Sequence, residues 1–439
     1  MKKLFLSLAI AASTLSASAE GYQVNVLSAR QNGMGHTGTA LKLNSESMIF
    51  NPAGMAFMDK TIDVSGTFSS IFANASATTA DGKKYETDNP ASTPMSVNLG
   101  FSVYDNFKAG ISFYTPYGSN INWTSNWPGA MLNQRCKLTT YTIQPTLAWR
   151  VTDRLSIGAG LMITWGNVDL DKALVTPASI DGILSAMGSA ERFGSTVPAS
   201  VNLTGTAKIA YGINVGAMYD INSQWTVGAS YRSKMNMKVK AGTASVNYVN
   251  EVAKQLLESR LGLIDQAEFK AEMPCVSILN LGVAFRPVER LTLAADFQYS
   301  FWKEYKRLNI EFLSEQLAPF NQNIEKNYRN SACYHIGAEY ALTDRLDLRA
   351  GMMIDTAPMR TDNYNPETPG MTKIEPSAGL SFRPVPNFSI DVSMLYVAGL
   401  GRDGASCKYM NLITNQAETF TADYKVTALS PSIGFNYSF

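Results

Sequence analysis

Polar and apolar residues alternate with a period of two over long stretches of this chain. From 291 to 301, Leu291, Leu293, Ala295, Phe297, Tyr299 and Phe301 fall on one face, and Thr292, Asp296, Gln298 and Ser300 on the other. Leu346, Leu348, Ala350, Met352 and Ile354 oppose Asp347, Arg349 and Asp355, and Phe388, Ile390, Val392, Met394 and Tyr396 oppose Ser389, Asp391 and Ser393. Successive side chains of a strand point to opposite faces, so each run predicts a strand with one apolar and one polar face. Strands of a soluble sandwich alternate too, but average about five or six residues. These runs extend for about ten, the length that crosses a membrane at a tilt.

The connections alternate between tight and long. Short turns are read at Tyr104-Asp105-Asn106, Val151-Thr152-Asp153, Asp220 to Gln224, Arg286 to Glu289, Thr343-Asp344 and Arg383 to Asn387. Long segments are read at roughly 75–93, 118–135, 170–199, 241–271, 311–329, 358–372 and 400–424. In a transmembrane barrel the tight turns face the periplasm and the long loops the exterior. Six turns and seven loops predict an all-β, antiparallel transmembrane barrel of about fourteen strands over 61–439. Two loops carry helical spacing, Ile180, Ile183, Leu184 and Met187 in one and Val249, Val252, Leu256 and Leu257 in the other. They predict short amphipathic helices, which either pack the loops together or form an apolar landing groove.

The segment from Glu20 to about Lys60 breaks the strand pattern, with Gly33, Gly35, Gly38 and Gly54 among small and polar residues. It is expected to fold inside the barrel as an N-terminal hatch over 20–60. Ahead of it, Lys2 and Lys3, the apolar run Leu4 to Ala12 and the stretch ending Ala17-Ser18-Ala19 have the layout of a signal peptide over 1–19, cut after Ala19. No run of about 18 apolar residues follows, so a membrane role requires a barrel. The end, Gly434-Phe435-Asn436-Tyr437-Ser438-Phe439, resembles the signature read by the barrel-assembly machinery of outer membranes, with Phe439 as its terminal aromatic.

Charge adds little: 37 Lys and Arg face 36 Asp and Glu, which argues against a nucleic-acid partner. A mean hydropathy of −0.08 fits a barrel, whose lipid face and polar lumen average out. The strand faces place Cys275 toward lipid and Cys333 toward the lumen, so those two are not expected to pair, and all four cysteines are expected as free thiols. Enzyme chemistry has little to build on. The two histidines are His36 and His335, and the inward-facing pair His335 and Glu339 stands four strand residues apart, about 13 Å. No metal-ligand cluster, phosphate loop or cofactor motif stands out, so no metal and no cofactor is expected.

The N-terminal segment reads Gly21-Tyr22-Gln23-Val24-Asn25, Ser28, Gly33-Met34-Gly35, Thr37-Gly38, Ala40 and Asn51-Pro52-Ala53-Gly54-Met55. This resembles the hatch of FadL-type outer-membrane transporters of long-chain fatty acids and other hydrophobic compounds, including the family's Asn-Pro-Ala motif. The likeness continues through Thr115-Pro116-Tyr117-Gly118 and from Ala148 to Asp169, roughly the N-terminal third. It implies a fourteen-stranded barrel closed by the hatch. Cargo would be collected outside, held in an apolar pocket and released sideways into the bilayer through a kinked third strand.

Here that strand meets Pro116, Tyr117 and Gly118, where Pro cannot donate to the ladder and Gly weakens it, so an opening is expected there, near Asn51, Pro52 and Ala53. Lateral exit suits such cargo: each buried CH₂ is worth about 0.8 kcal/mol, which a watery channel would forfeit. The family's basic cargo site implies Lys172, where Lys replaces the family's Arg and loses its bidentate fork. Inward-facing Arg232 and Lys234 are further candidates, and Met34, Met55, Phe57, Ile183 and Leu256 are candidates for the tail. Partners expected on this reading are a hydrophobic small molecule, outer-membrane lipids and the assembly machinery, with the chain acting as a monomer. The alternative is a general porin or adhesin-type barrel, and a more remote one an outer-membrane enzyme.

Overall fold

Long two-faced strands in lipid must pair until no edge is left, because the bilayer core offers exposed backbone groups no partner. The computed structural model describes residues 21–439; the signal peptide expected over 1–19 and the mature start at Glu20 lie outside them. Fourteen antiparallel strands close into a barrel. In chain order, β1 is Ile62–Ser69 with Phe72–Thr78, β2 Lys84–Glu86 with Met95–Tyr104, β3 Phe107–Tyr114 with Gly118–Asn122, β4 Arg135–Arg150 and β5 Leu155–Ala173. β6 is Ala199–Asp220, β7 Trp225–Arg232 with Met235–Tyr248, β8 Gln266–Cys275 with Ile278–Val288, β9 Leu291–Ser300 with Arg307–Phe312 and β10 Gln322–Glu325 with Ser331–Thr343. β11 is Leu346–Asp355, β12 Lys373–Val385, β13 Phe388–Gly399 with Arg402–Asn411 and β14 Gln416–Ser438. The seam closes where β14 pairs with β1, Val64 opposite Tyr437 and Ser69 opposite Ser432.

The faces are inverted relative to a soluble protein. On β11, Leu348, Met352 and Ile354 are exposed toward lipid while Asp347, Arg349 and Asp355 are buried in the lumen. The buried charges are paired: Arg349 donates to Glu339 and to Asp391, both at 2.6 Å, and Arg30 binds Glu339 at 2.8 Å.

Several segments read as loops are strand. Residues 402–411 and 416–424 form a hairpin, and 235–248 with 266–275 form another. Pairing continues above the membrane, where no lipid imposes an apolar face, so the alternation fades although the ladder does not. Cys275 is a second correction: it is fully buried among lumenal side chains and does not face lipid. β8 is interrupted at Val276-Ser277, and this break resets the alternation. All four cysteines are free.

Residues 21–60 lie within the barrel at its tight-turn end as short helical pieces, α1 (Ala29–Asn32), α2 (Ser47–Phe50) and a 3₁₀ turn over Pro52–Phe57. Ser28 caps α1 by accepting from the Gln31 amide, and Asn51 caps the 3₁₀ turn by accepting from the Ala53 amide at 3.1 Å. The wall makes room with inward-facing glycines: a Cβ on Gly351 would strike the backbone of Met34 and Gly35. Two loop helices, α3 (Pro177–Ala186) and α4 (Glu251–Leu261), cover the other end.

Candidate functional site

β3 breaks where Pro removes a donor. Its pairing with β2 runs from Phe107 to Tyr114, with a last bond from the Thr115 amide to Met95. Beyond that, Gly118–Asn122 has β4 as its strand partner, and only its far end returns to the β2 side, where Asn122 O accepts from the Asp88 amide at 2.9 Å. Thr115, Pro116 and Tyr117 stand against two residues of β4, Thr140 and Tyr141, and so form a bulge. The kink's backbone groups are taken by the N-terminal segment: the Val24 amide donates to Pro116 O and the Gly118 amide to Tyr22 O, both at 2.9 Å. Tyr22 is held there by three rings, Trp302 at 4.9 Å, Tyr117 at 6.1 Å and Tyr305 at 6.2 Å, and its hydroxyl donates to Pro274 O.

Above this plug lie three spaces with shared walls. The outermost, about 1260 Å³, is a polar mouth whose lining carries six basic groups, Lys172, Lys303, Lys306, Arg329, Arg360 and Lys408, against the acids Glu325 and Asp362. Lys172, Leu174, Phe320 and Ile324 also line a second, apolar chamber of about 60 Å³. That chamber shares Leu170, Leu203, Leu308, Ile310 and Glu367 with a third of about 100 Å³. The third is bounded by Tyr22, by Ser119 just past the kink and by Thr140, which accepts from the Tyr117 amide. A dry apolar cavity of roughly 150 Å³ admits benzene, so the third space is on the scale of one small ring, and a long chain needs both chambers.

Lys326 is fully buried and pairs with Glu367, with Tyr305 alongside at 5.9 Å. Burial alone would push its ammonium down; the Glu367 carboxylate outweighs this and holds it above its ordinary value. The loop bearing Glu367, between β11 and β12, is drawn inward by Trp123 Nε1 to Pro366 O at 2.9 Å and Ser119 Oγ to Glu367 O at 3.3 Å.

Of the residues singled out in the sequence, Lys172 lies at the junction of mouth and second chamber, with Nζ donating to Gln322 at 3.0 Å. Arg232 lies deeper, donating to Ile49 O at 2.8 Å, and Lys234 pairs with Glu304 at 3.4 Å; neither borders the three spaces. Met34, Met55 and Phe57 pack hatch against wall or against Lys42 and line none of the three spaces. Ile183 and Leu256 join α3 to α4 in one apolar cluster above the second chamber, the packing alternative read from the sequence. Asn51, Pro52 and Ala53 are not beside the kink. Asn51 donates to Thr39 O and Ala217 O, and the motif lies against Gly158 and Gly216 of β5 and β6, because only a wall without Cβ admits its backbone. The residues at the kink are Tyr22 to Val24. Tyr22, Lys326 and Glu367 escaped the sequence reading; Tyr22 alone carried a signal, its place in the hatch pattern.

A model of the family described as outer membrane protein transport protein (OMPP1/FadL/TodX) matches residues 10–439. Outer membrane protein P1 of Haemophilus influenzae is 23% identical over the whole of both chains. The long-chain fatty acid transport protein of Escherichia coli is 22% identical over 90% of this chain and 92% of its own. A Pseudomonas aeruginosa FadL homologue superposes with a TM-score of 0.80 at 20% identity, covering 96% of this chain and 100% of that one. The Pseudomonas putida toluene transporter TodX gives 0.69 at 16% identity, covering 93% and 97%. With its hoop of fourteen strands and a family match over nearly its full length, this chain belongs to the OMPP1/FadL/TodX family: it is an outer-membrane transporter of hydrophobic compounds and not an enzyme.

Proposed function

We propose that this protein takes up hydrophobic small molecules, long-chain fatty acids foremost, by capture at the basic mouth, passage through the two apolar chambers and lateral release at the kinked third strand. The observation that carries the reading is the run of shared walls from Lys172 to Ser119, ending on a strand whose pairing to β2 has stopped. The mouth's excess of basic groups favours carboxylates, and the chambers' Leu and Ile linings favour alkyl chains. Relatives named for long-chain fatty acids and for toluene bracket the cargo. Residues 21–60 serve as the hatch and Tyr22 to Val24 as the plug of the lateral exit. The chain works as a monomer, assembled through its C-terminal Phe439.

Gly118 supplies the test. A Cβ there would already stand 3.6 Å from Val24, so a bulky side chain fills the gap. Gly118→Trp, or a disulfide engineered between β2 and β3 across the kink, is expected to stop uptake of a radiolabelled fatty acid by whole cells while leaving surface binding. Uptake that persists with the gap closed means that cargo leaves elsewhere. A porin would instead conduct ions steadily in planar bilayers; the plugged lumen predicts a closed pore.

A further inference from the structure

We propose that the innermost chamber admits cargo only in uncharged form and that Glu367 imposes this selection; the inference rests on the uptake reading above. Glu367 lines both apolar chambers, whereas Lys326, its partner, lies wholly buried behind it and lines neither. Cargo moving inward therefore meets a carboxylate first, and Lys326, the cation behind it, is already paired. Leu170, Leu203, Leu308 and Ile310 surround it, and the lining of the innermost chamber holds no Lys or Arg. A carboxylate entering that chamber would lose its hydration, find no unpaired counter-ion and lie against the Glu367 carboxylate. A hydrocarbon loses nothing there, and an alcohol, a phenol or a neutral carboxylic acid can donate its O–H to Glu367.

The position of Glu367 is fixed by the chain around it. Its amide donates to Asn365 Oδ1 at 3.1 Å, its carbonyl accepts from Ser119, and the neighbouring Pro366 carbonyl accepts from Trp123. The two ends of the route thus have opposite preferences: anions are gathered at Lys172, where the mouth meets the second chamber, and the innermost chamber passes the neutral form. A fatty acid held at Lys172 takes one proton from solvent, R–COO⁻ becoming R–COOH, before it moves on. Glu367 is a specificity-determining residue on this account.

The test compares palmitate with palmityl alcohol, by equilibrium binding to the purified, folded full-length barrel in detergent. Lys172→Met is the background throughout, so that the mouth lysine does not contribute, at a pH well above that of carboxylic acid ionisation. The alcohol is expected to bind at least about 10-fold more tightly than palmitate. Adding Glu367→Gln, which removes the facing carboxylate and leaves the Lys326 charge behind it uncompensated, is expected to raise palmitate affinity by about 10-fold or more and change the alcohol by no more than about 3-fold.

Should that variant fail to fold, pH decides in the Lys172→Met protein itself. Palmitate binding should tighten as the pH falls and the ligand is neutralised, with alcohol binding flat. Palmitate that binds as tightly as the alcohol, with no response to pH or to Glu367→Gln, overturns the inference and leaves uptake standing. Failure of both ligands to bind overturns the inference together with the uptake reading.

Discussion

Replacing Tyr22 with Ala is expected to undock the plug from the kink without disturbing the barrel. Tyr22 makes three ring contacts, with centroids at 4.9, 6.1 and 6.2 Å, each worth about 0.5–1.5 kcal/mol. Its hydroxyl bond to Pro274 adds about 1 kcal/mol. What remains is a pair of main-chain bonds, from Val24 to Pro116 and from Gly118 to Tyr22. A loss of about 3 kcal/mol, near the lower part of that sum, multiplies the undocked population by about 100. Hydrogen exchange reads this directly, because the Val24 and Gly118 amides exchange only when the plug lifts. Their exchange should accelerate by about 100-fold, while amides of the β4–β5 ladder keep their protection. Acceleration below about 3-fold, or an equal change in the ladder, refutes the argument that these rings hold the plug.

Three further outcomes are expected. Lys172→Met should weaken fatty-acid binding by about 10-fold and barely affect an uncharged hydrocarbon of similar length; equal losses for both, or none for either, remove Lys172 from the site. Deleting residues 21–60 should leave a closed barrel of much larger conductance in planar bilayers, and unchanged conductance counts against the plug. Arg349→Met strands Asp391 in the lumen and leaves Glu339 with Arg30 and Asp347 with Arg383, so it should cost about 3–5 kcal/mol, read as a lowered thermal midpoint; a midpoint equal to wild type would show that these charges were already solvated.

What the chain displays on its surface and what it hides follow different rules, and this decided what was legible. Strand number, order and the inward set on β9, β11 and β13 follow from alternation, since lipid on one side and a polar lumen on the other leave a mark on every second residue. Above the bilayer that mark fades, so residues 402–411 and 416–424 read as a loop although they are paired. The break in β3 was readable because Pro116 and Gly118 each damage a ladder for a known reason. The contents of the lumen were not. Asn51 looked like a neighbour of the kink, but its place beside Gly158 and Gly216 depends on how the hatch folds back, which no local pattern encodes. Lys326 and Glu367 are 41 residues apart on two loops, and only the closed barrel brings them together.

The seam between β1 and β14 also bears on how the molecule is made. Asn32, early in the hatch, donates to Ser432, 400 residues later, at 2.8 Å, and Ser69 meets the same serine at 2.7 Å. None of these bonds exists until the whole chain has been delivered and its last strand laid against its first. Closing so long a loop is a slow, late event, during which unpaired edges of β1 and β14 are open to the wrong partners. Once that happens a continuous hoop of fourteen strands surrounds the N-terminal segment on every side. Sideways exit is then shut off, and the enclosed segment can leave only along the barrel axis, by giving up its bonds to the wall, such as Asn32 to Ser432 and Arg30 to Glu339.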